Sequence, residues 1–302
     1  MSRIACIDGR FYAPEDAKVS VYDRGFLYGD SVFETIRTYG GRPFALDEHV
    51  ERLERSAAQV AIPMPIDRAA FAAEIERALA EAANPESYVR ATLTRGTGPL
   101  GLDPRLATHP LRVILVEPLK LLPAAMYRDG VAVITHRTER ACDAAHGAKV
   151  GNYLASVLAI RKACDVGAHE ALIINTAGQI VEGTTSNVFV VRGRTLITPP
   201  EEAGILAGIT RAHILAIAGE AGLSVELRPL VPDDVRSADE VFLSSSLREL
   251  LPVVAVDGAP IGSGTPGPNT RALHLAFRRH VGMGDAKAPW SIPPSPRRGE
   301  GG

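Results

Sequence analysis

The sequence predicts a mixed α/β protein with a break near its middle, and three observations predict it. Alternating stretches rich in β-branched and aromatic residues are interspersed with amphipathic helical patterns, without strict strand–helix alternation. The run from Pro118 to Pro123 interrupts both patterns and marks a domain boundary. The 302 residues suffice for one large domain or two medium ones, and such a chain buries roughly 75% of its unfolded surface.

Taken in order, residues 3–12 read as strand, turn and strand around Asp8-Gly9. Val19 to Tyr22 reads as another strand, leading into Asp-Arg-Gly-Phe-Leu-Tyr-Gly-Asp at 23–30. Ser31 to Tyr39 (SVFETIRTY) alternates as a strand and closes on Gly40-Gly41. Asp47 is expected to cap a helix with a stripe of Val50, Leu53, Ala57 and Val60, leaving Arg52 at the stripe's edge. A second helix runs from an Asp67 cap through Phe71, Ile75 and Leu79 to Asn84-Pro85. Tyr88–Arg95 and Leu111–Val116 are strands, as is Val131–Thr135. The helix after Lys149 has Tyr153, Val157, Ile160 and Cys164 as its expected apolar face and Gly167 as its stop. A β-rich block follows at 170–175, 179–182, 187–191 and 195–198, then a helix over 210–222. Strands at 224–228 and 240–244, a hairpin around Asp257-Gly258 and a helix with Leu273 and Phe277 complete the pattern. Residues 284–302 are rich in Pro and Gly and read as disordered.

Composition excludes several classes. Hydrophobic content of 46% and charged content of 23% are those of a globular protein. A net charge of −2 gives no basic field for nucleic acid or an anionic membrane. Cys6, Cys142 and Cys164 lack CxxC spacing, so neither a disulfide framework nor a metal site is expected. With no apolar leader and no spanning-length apolar run, a cytoplasmic protein is expected. Gly96-Thr-Gly-Pro-Leu-Gly101 matches GxGxxG, but Pro99 and Asp103-Pro104 prevent a helix from opening there. It reads as a glycine-rich loop, not a dinucleotide site.

If the protein uses an amine, Lys149 is the candidate. The only lysines are Lys18, Lys120, Lys149, Lys162 and Lys287, and the others fall in a turn, a linker, a polar helix face and the tail. A lysine where a loop meets a buried helix face is held from water, which favours the neutral amine; the plain alternative is a solvated surface lysine. Glu182-Gly-Thr-Thr-Ser-Asn-Val-Phe189 puts a carboxylate at a tight bend, either a decorated hairpin or the partner of a protonated ring nitrogen. Gly208-Ile-Thr-Arg211 opens a helix and offers an anion seat or a simple helix start. Ser244-Ser245-Ser246 is a serine turn or a further set of anion donors. A Schiff-base lysine, an acid for a ring nitrogen and phosphate donors together specify pyridoxal 5'-phosphate.

At this point the sequence resembles the fold-type IV (class IV) aminotransferases from about Val19 to Phe277. The anchors are YGDSVFETIR (28–37), EHVERLERSA (48–57), YVRATLTRGTGPLGLDP (88–104), AKVGNYL (148–154), VEGTTSNVF (181–189), GITR (208–211) and DEVFLSSS (239–246). The resemblance implies a small N-terminal α/β domain (1–118), a linker (119–128) and a larger C-terminal mixed-sheet, pseudo-barrel domain (129–283), with cofactor in the cleft between. It makes Lys149 the catalytic Schiff-base lysine and general acid/base, needing a pKa near ~7–8. Arg52, Ile209, Thr210 and Ser246 would hold the phosphate, Tyr153 the ring hydroxyl and Glu182 the ring nitrogen, with Asn187 in the same motif and Ser245 also among the cofactor-binding residues. Tyr28, Phe33, Thr35, Tyr88, Arg90, Ser246 and Leu247 would meet substrate, and Leu100 and Leu102 would lie on a loop reaching a partner subunit's site.

Within that family, 88–104 is most similar to branched-chain enzymes acting on a leucine-like amino acid and 2-oxoglutarate. Thr35 departs from their FEGIR pattern. FET-type sequences also occur among D-amino-acid aminotransferases and aminodeoxychorismate lyases, which stand as alternatives beside a catalytically idle binding module. The expected partners are small amino and 2-oxo acids and a second copy of the chain.

Overall fold

The computed structural model describes residues 2–138, 147–284, 288 and 290. Cys142, Lys287 and most of the tail fall outside them; within the tail, Ala288 is buried and Trp290 packs edge-on against His274 at 4.9 Å.

The first half of the chain builds a six-stranded sheet and two covering helices. Its elements are β1 (Ile4–Ile7), β2 (Arg10–Tyr12), α1 (Arg24–Tyr28), β3 (Ser31–Tyr39), β4 (Arg42–Pro43), α2 (Leu46–Gln59), α3 (Arg68–Ala82), β5 (Ser87–Thr94) and β6 (Leu111–Pro118). The strand order is β2-β1-β6-β5-β3-β4, antiparallel throughout. Alternation sorts the two faces. Val32, Ile36, Val89, Ala91, Leu93, Ile114 and Val116 point to α2 and α3 and pack with Leu53, Phe71 and Ile75. On the other face, the register pairs Phe33 with Thr92, Thr35 with Arg90 and Arg37 with Tyr88.

The second half builds a nine-stranded mixed sheet. After α4 (Ala124–Asp129) come β7 (Val131–Arg137), α5 (Leu154–Asp165), β8 (Glu170–Ile174), β9 (Ile180–Gly183), β10 (Asn187–Arg192), β11 (Thr195–Thr198) and α6 (Ile209–Ile217). Then follow β12 (Ser224–Leu227), α7 (Pro232–Arg236), β13 (Glu240–Ser245), β14 (Glu249–Val256), β15 (Ala259–Pro260) and α8 (Pro268–His280). The order is β12-β11-β10-β13-β14-β7-β8-β9, with β15 beside β14. Edge strand β9 turns directly into β10 through a Gly183 N–H donated to Ser186 O (2.7 Å), which curls the sheet. Phe189, Phe242, Leu250, Ile214, Leu273 and Phe277 fill the layer between this sheet and α6 and α8.

Three expected local features differ. No strand forms at 19–22; Val21 and Tyr22 are exposed in a turn with no ladder partner, and Asp23 instead caps α1 through the Gly25 N–H. β-propensity without a neighbouring strand does not make a strand. Asp47 does not cap α2: Ala45 takes that place in the left-handed region, and Asp47 and Glu48 sit in the first turn, where their charges complement the helix dipole. The buried face of α5 is Ser156, Ala159 and Ala163, not the face through Val157, which is 56% exposed. The helix lies against β8, and Ala159 packs with Ala171 and Ile173 there, so small residues set a close approach and the larger ones turn outward.

Phe71 is completely buried between α3 and the first sheet. Phe71→Ala should lower the unfolding free energy by about 3–5 kcal/mol, read as a lower denaturant midpoint at unchanged slope.

Candidate active site

A cavity of about 1100 Å³ lies between the two sheets. Its centre is Lys149, placed by backbone pairing. Phe33 N–H donates to Lys149 O (3.0 Å), Gly151 N–H donates to Ser31 O (2.8 Å), and Val150 bridges Val32, so 149–151 runs as a short extra strand along β3. Lys149 N–H donates to Ser56 Oγ (3.2 Å). Glycine at 151 leaves room for the Ser31 hydroxyl, because a Cβ there would come within 2.1 Å of Ser31 Oγ.

The Lys149 ammonium donates to Tyr153 Oη (3.3 Å) and lies 4.6 Å from the centre of the Phe33 ring. Burial lowers its pKa from 10.5 to about 8, helped by Arg52 and Arg90 and opposed by Glu34 and Glu182. A lysine near 8 keeps a usable fraction of neutral amine at neutral pH.

Three side chains clamp the chain entering α6. Glu182 Oε2 accepts the Leu206 N–H (3.1 Å), Asn187 Nδ2 donates to Leu206 O (3.0 Å), and Arg52 Nη1 donates to Ala207 O (2.6 Å). Gly208 then caps α6 without a side-chain bond, leaving the first helical N–H groups of Ile209 and Thr210 at the cavity wall. Glycine at 208 leaves the Asn187 amide in place, since a Cβ would meet Asn187 Oδ1 at 2.0 Å. Asn187 pairs with Ser244 across β10 and β13, and the buried Ser244 Oγ has no partner among the described residues.

The turn 245–248 forms another wall and is held from behind. Arg37 Nη1 donates to Leu247 O (3.4 Å) and pairs with Glu249 (3.1 Å), and Tyr127 Oη donates to Arg248 O (3.0 Å). Burial pushes the Glu249 carboxyl up, but His274, Arg37 and Arg278 outweigh it and hold it at about 2. Arg248 pairs with the buried Glu170 and donates to Thr185 Oγ1 (2.6 Å). Glu170 Oε1 also accepts from the Thr185 N–H (2.7 Å) and Ser186 Oγ (3.1 Å), so the 183–187 bend and the 245–248 turn are fastened together.

Of the residues singled out from sequence, Lys149, Arg52, Tyr153, Glu182, Asn187, Ile209, Thr210, Ser245 and Ser246 line this cavity. So do Tyr28, Phe33, Thr35, Tyr88, Arg90 and Leu247. Leu100 and Leu102 do not; they are 67% and 79% exposed on a loop tied to this chain by Arg24 donating to Gly101 O (2.7 Å) and by the Gly101 N–H donating to Tyr28 Oη (3.1 Å). Sequence reasoning missed Glu34, His49, Glu170 and Arg248. A signal for the first two existed: Glu34 shares strand parity with Val32 and Ile36, and His49 lies one turn before Leu53, so each is a polar group at a core position.

Residues 31–256 match the family described as Amino-transferase class IV. The chain belongs to the class IV aminotransferases. A provisionally named branched-chain-amino-acid aminotransferase of Methanocaldococcus jannaschii is 38% identical, over 95% of this chain and 97% of its own length. A D-alanine aminotransferase of Bacillus licheniformis is 33% identical (91% and 95%), and an aminodeoxychorismate lyase of Bacillus subtilis is 29% identical (91% and 94%). Among solved structures, the branched-chain amino acid aminotransferase of Escherichia coli superposes with a TM-score of 0.88 at 30% identity, covering 96% of this chain and 98% of that one. The T.th. branched-chain amino acid aminotransferase, solved with pyridoxamine 5'-phosphate, has a TM-score of 0.87 at 30% identity (94% and 95%).

This aminotransferase therefore has the mixed α/β fold of type IV, and pyridoxal 5'-phosphate is the cofactor of its family. The donor set fits that group. An uncapped helix start, a guanidinium and an orphaned serine hydroxyl suit a phosphate, and a half-buried amine suits an aldehyde. Among the described residues no helix is long and apolar enough to cross a membrane.

Attachment of pyridoxal phosphate to the apoenzyme should follow the neutral fraction of Lys149. Its rate, read by visible absorbance, should rise with pH around a midpoint near 8; a midpoint near that of free lysine would contradict the assignment.

Proposed function

We propose that this aminotransferase exchanges the amino group between a branched-chain L-amino acid and 2-oxoglutarate. The carrying observation is the wall made by β3 and β5. Phe33, Thr35 and Tyr88 line it together with Arg90, whose guanidinium lies 3.6 Å from the Phe33 ring centre and has no carboxylate partner among the described residues. An apolar wall with one unneutralised cation suits a leucine-like side chain and, alternately, the distal carboxylate of glutamate.

In this reading Arg52, the N–H groups of Ile209 and Thr210, and Ser245 and Ser246 hold the phosphate. Glu182 would sit beside the ring nitrogen and favour a proton there, and Tyr153 would hydrogen-bond the ring oxygen. The cofactor, when bound, supplies an electron sink for the pair left when the α-proton departs. Lys149 would anchor the cofactor covalently and, as a neutral amine, would take the substrate's α-proton and later give it back. The donor would leave as a 2-oxo acid, and a second 2-oxo acid would receive the amino group.

The same reading divides the chain into domains at 1–118 and 129–283. It also makes the working unit a homodimer, in which Leu100 and Leu102, exposed and outside their own cavity, would help close a neighbour's. A D-amino acid as donor is the second reading. Thr35 favours it, because it puts a β-branched side chain on the wall in a FET-type sequence, and so does the likeness to D-alanine aminotransferases.

Lys149→Ala should abolish transamination, measured by 2-oxo acid release. Arg90→Ala should raise KM for 2-oxoglutarate roughly 10- to 100-fold while changing that for L-leucine much less. L-Leucine should outpace D-alanine as donor to 2-oxoglutarate; a clear preference for D-alanine replaces the first reading with the second.

A further inference from the structure

We infer that Glu34 is a positioning residue of the cofactor site: it aims the Arg52 guanidinium at the phosphate. The inference rests on the proposed placement of the phosphate at the start of α6.

Glu34 is buried on the helix side of β3. Its Oε1 accepts from Arg52 Nε (2.8 Å), and its Oε2 meets both Arg52 Nη2 (2.7 Å) and His49 Nδ1 (2.7 Å). Burial pushes the carboxyl up, but Arg52 and His49 outweigh it and hold it at about 2, so it is a carboxylate that only accepts. His49 Nδ1 is therefore the protonated ring nitrogen, and burial lowers the imidazole's own pKa and keeps it neutral.

A guanidinium has five N–H groups. Two go to Glu34 and a third to Ala207 O, one residue before the Gly208 cap. The two that remain, one on each terminal nitrogen, belong to a side chain that lines the cavity beside the uncapped helix start. A terminal pair of N–H groups is the geometry that binds two phosphate oxygens at once. Glu34 holds two of the three guanidinium nitrogens and so sets the plane of that pair, with Ala207 O on the third, and His49 steadies the second carboxylate oxygen from the far side.

The same carboxylate acts on the amine. Arg52 on α2 and Arg90 on β5 disfavour the charge on Lys149, and Glu34 on β3 and Glu182 on β9 favour it. The Phe33 ring and the Tyr153 hydroxyl complete its surroundings. Removing the Glu34 charge leaves two guanidiniums against one carboxylate and favours the neutral amine.

Two variants separate aim from charge. Glu34→Asp keeps the charge but is one methylene too short for the two-point grip. Glu34→Gln keeps the length and removes the charge. Each apoenzyme is titrated with pyridoxal phosphate and with pyridoxal, which lacks the phosphate, and the pH dependence of pyridoxal attachment is recorded. Both variants should weaken pyridoxal phosphate roughly 10- to 100-fold and pyridoxal little. Only Glu34→Gln should move the attachment midpoint to lower pH. Thermal melting of each apoenzyme reports folding, and Glu34→Asp, which retains the ion pair, carries the test of aim if Glu34→Gln is unfolded. Equal loss for both aldehydes, no loss for either, or an equal midpoint shift in both variants overturns the inference. A Lys149→Ala apoenzyme that still attaches pyridoxal would instead overturn the underlying site, whatever the Glu34 variants do.

Discussion

One buried guanidinium holds three separate pieces of chain at a single point. Arg52 rises from α2, grips β3 through Glu34 and reaches the carbonyl of Ala207 just ahead of α6. Such a pair adds little net stability, because desolvating both charges costs about as much as their attraction returns, whereas breaking it costs about 3–5 kcal/mol. Its value is in placement. The first sheet and the helix that starts the second half's anion seat are put in register by a contact that works in one arrangement only.

The other walls follow the same logic. Glu249, with its backbone in the left-handed region, gathers Arg37, His274 and Arg278 behind the 245–248 turn. Glu170 gathers Arg248 and the hydroxyls of Thr184 and Ser186 behind the 183–187 bend. In each case a buried carboxylate is saturated by donors from elements far apart in sequence, and the surface it supports faces the cavity with backbone groups already oriented. The loops of this site are rigid because their anchors are charged and dry.

Much of this was legible in the sequence, for identifiable reasons. β3 and β5 announce themselves by alternation, and α3 by its Asp67 cap and the Asn84-Pro85 stop, because those signals are local. The cavity residues follow from motifs in which a required chemistry and a required turn coincide, as at Gly151 beside Lys149. What escaped depends on partners that spacing cannot reveal. The outward face of α5 looks like a core stripe until β8 demands small residues beneath the helix. Val19 to Tyr22 has strand composition but no strand to pair with. Glu34 and Glu170 are ordinary acids in the linear chain, and only the folded register brings arginines to them.

Because residues 149–151 are stitched to β3 as a sheet edge, the lysine's Cα is as immobile as the strand beside it. Only side-chain torsions remain for the amine, so it sweeps a short arc on one side of the cleft. In the proposed reaction a proton carried on that arc would reach whichever face of the substrate carbon is turned toward it. Handedness of the product would then follow from which way round the cavity walls seat the substrate, with the backbone pairing fixing the side from which the proton comes.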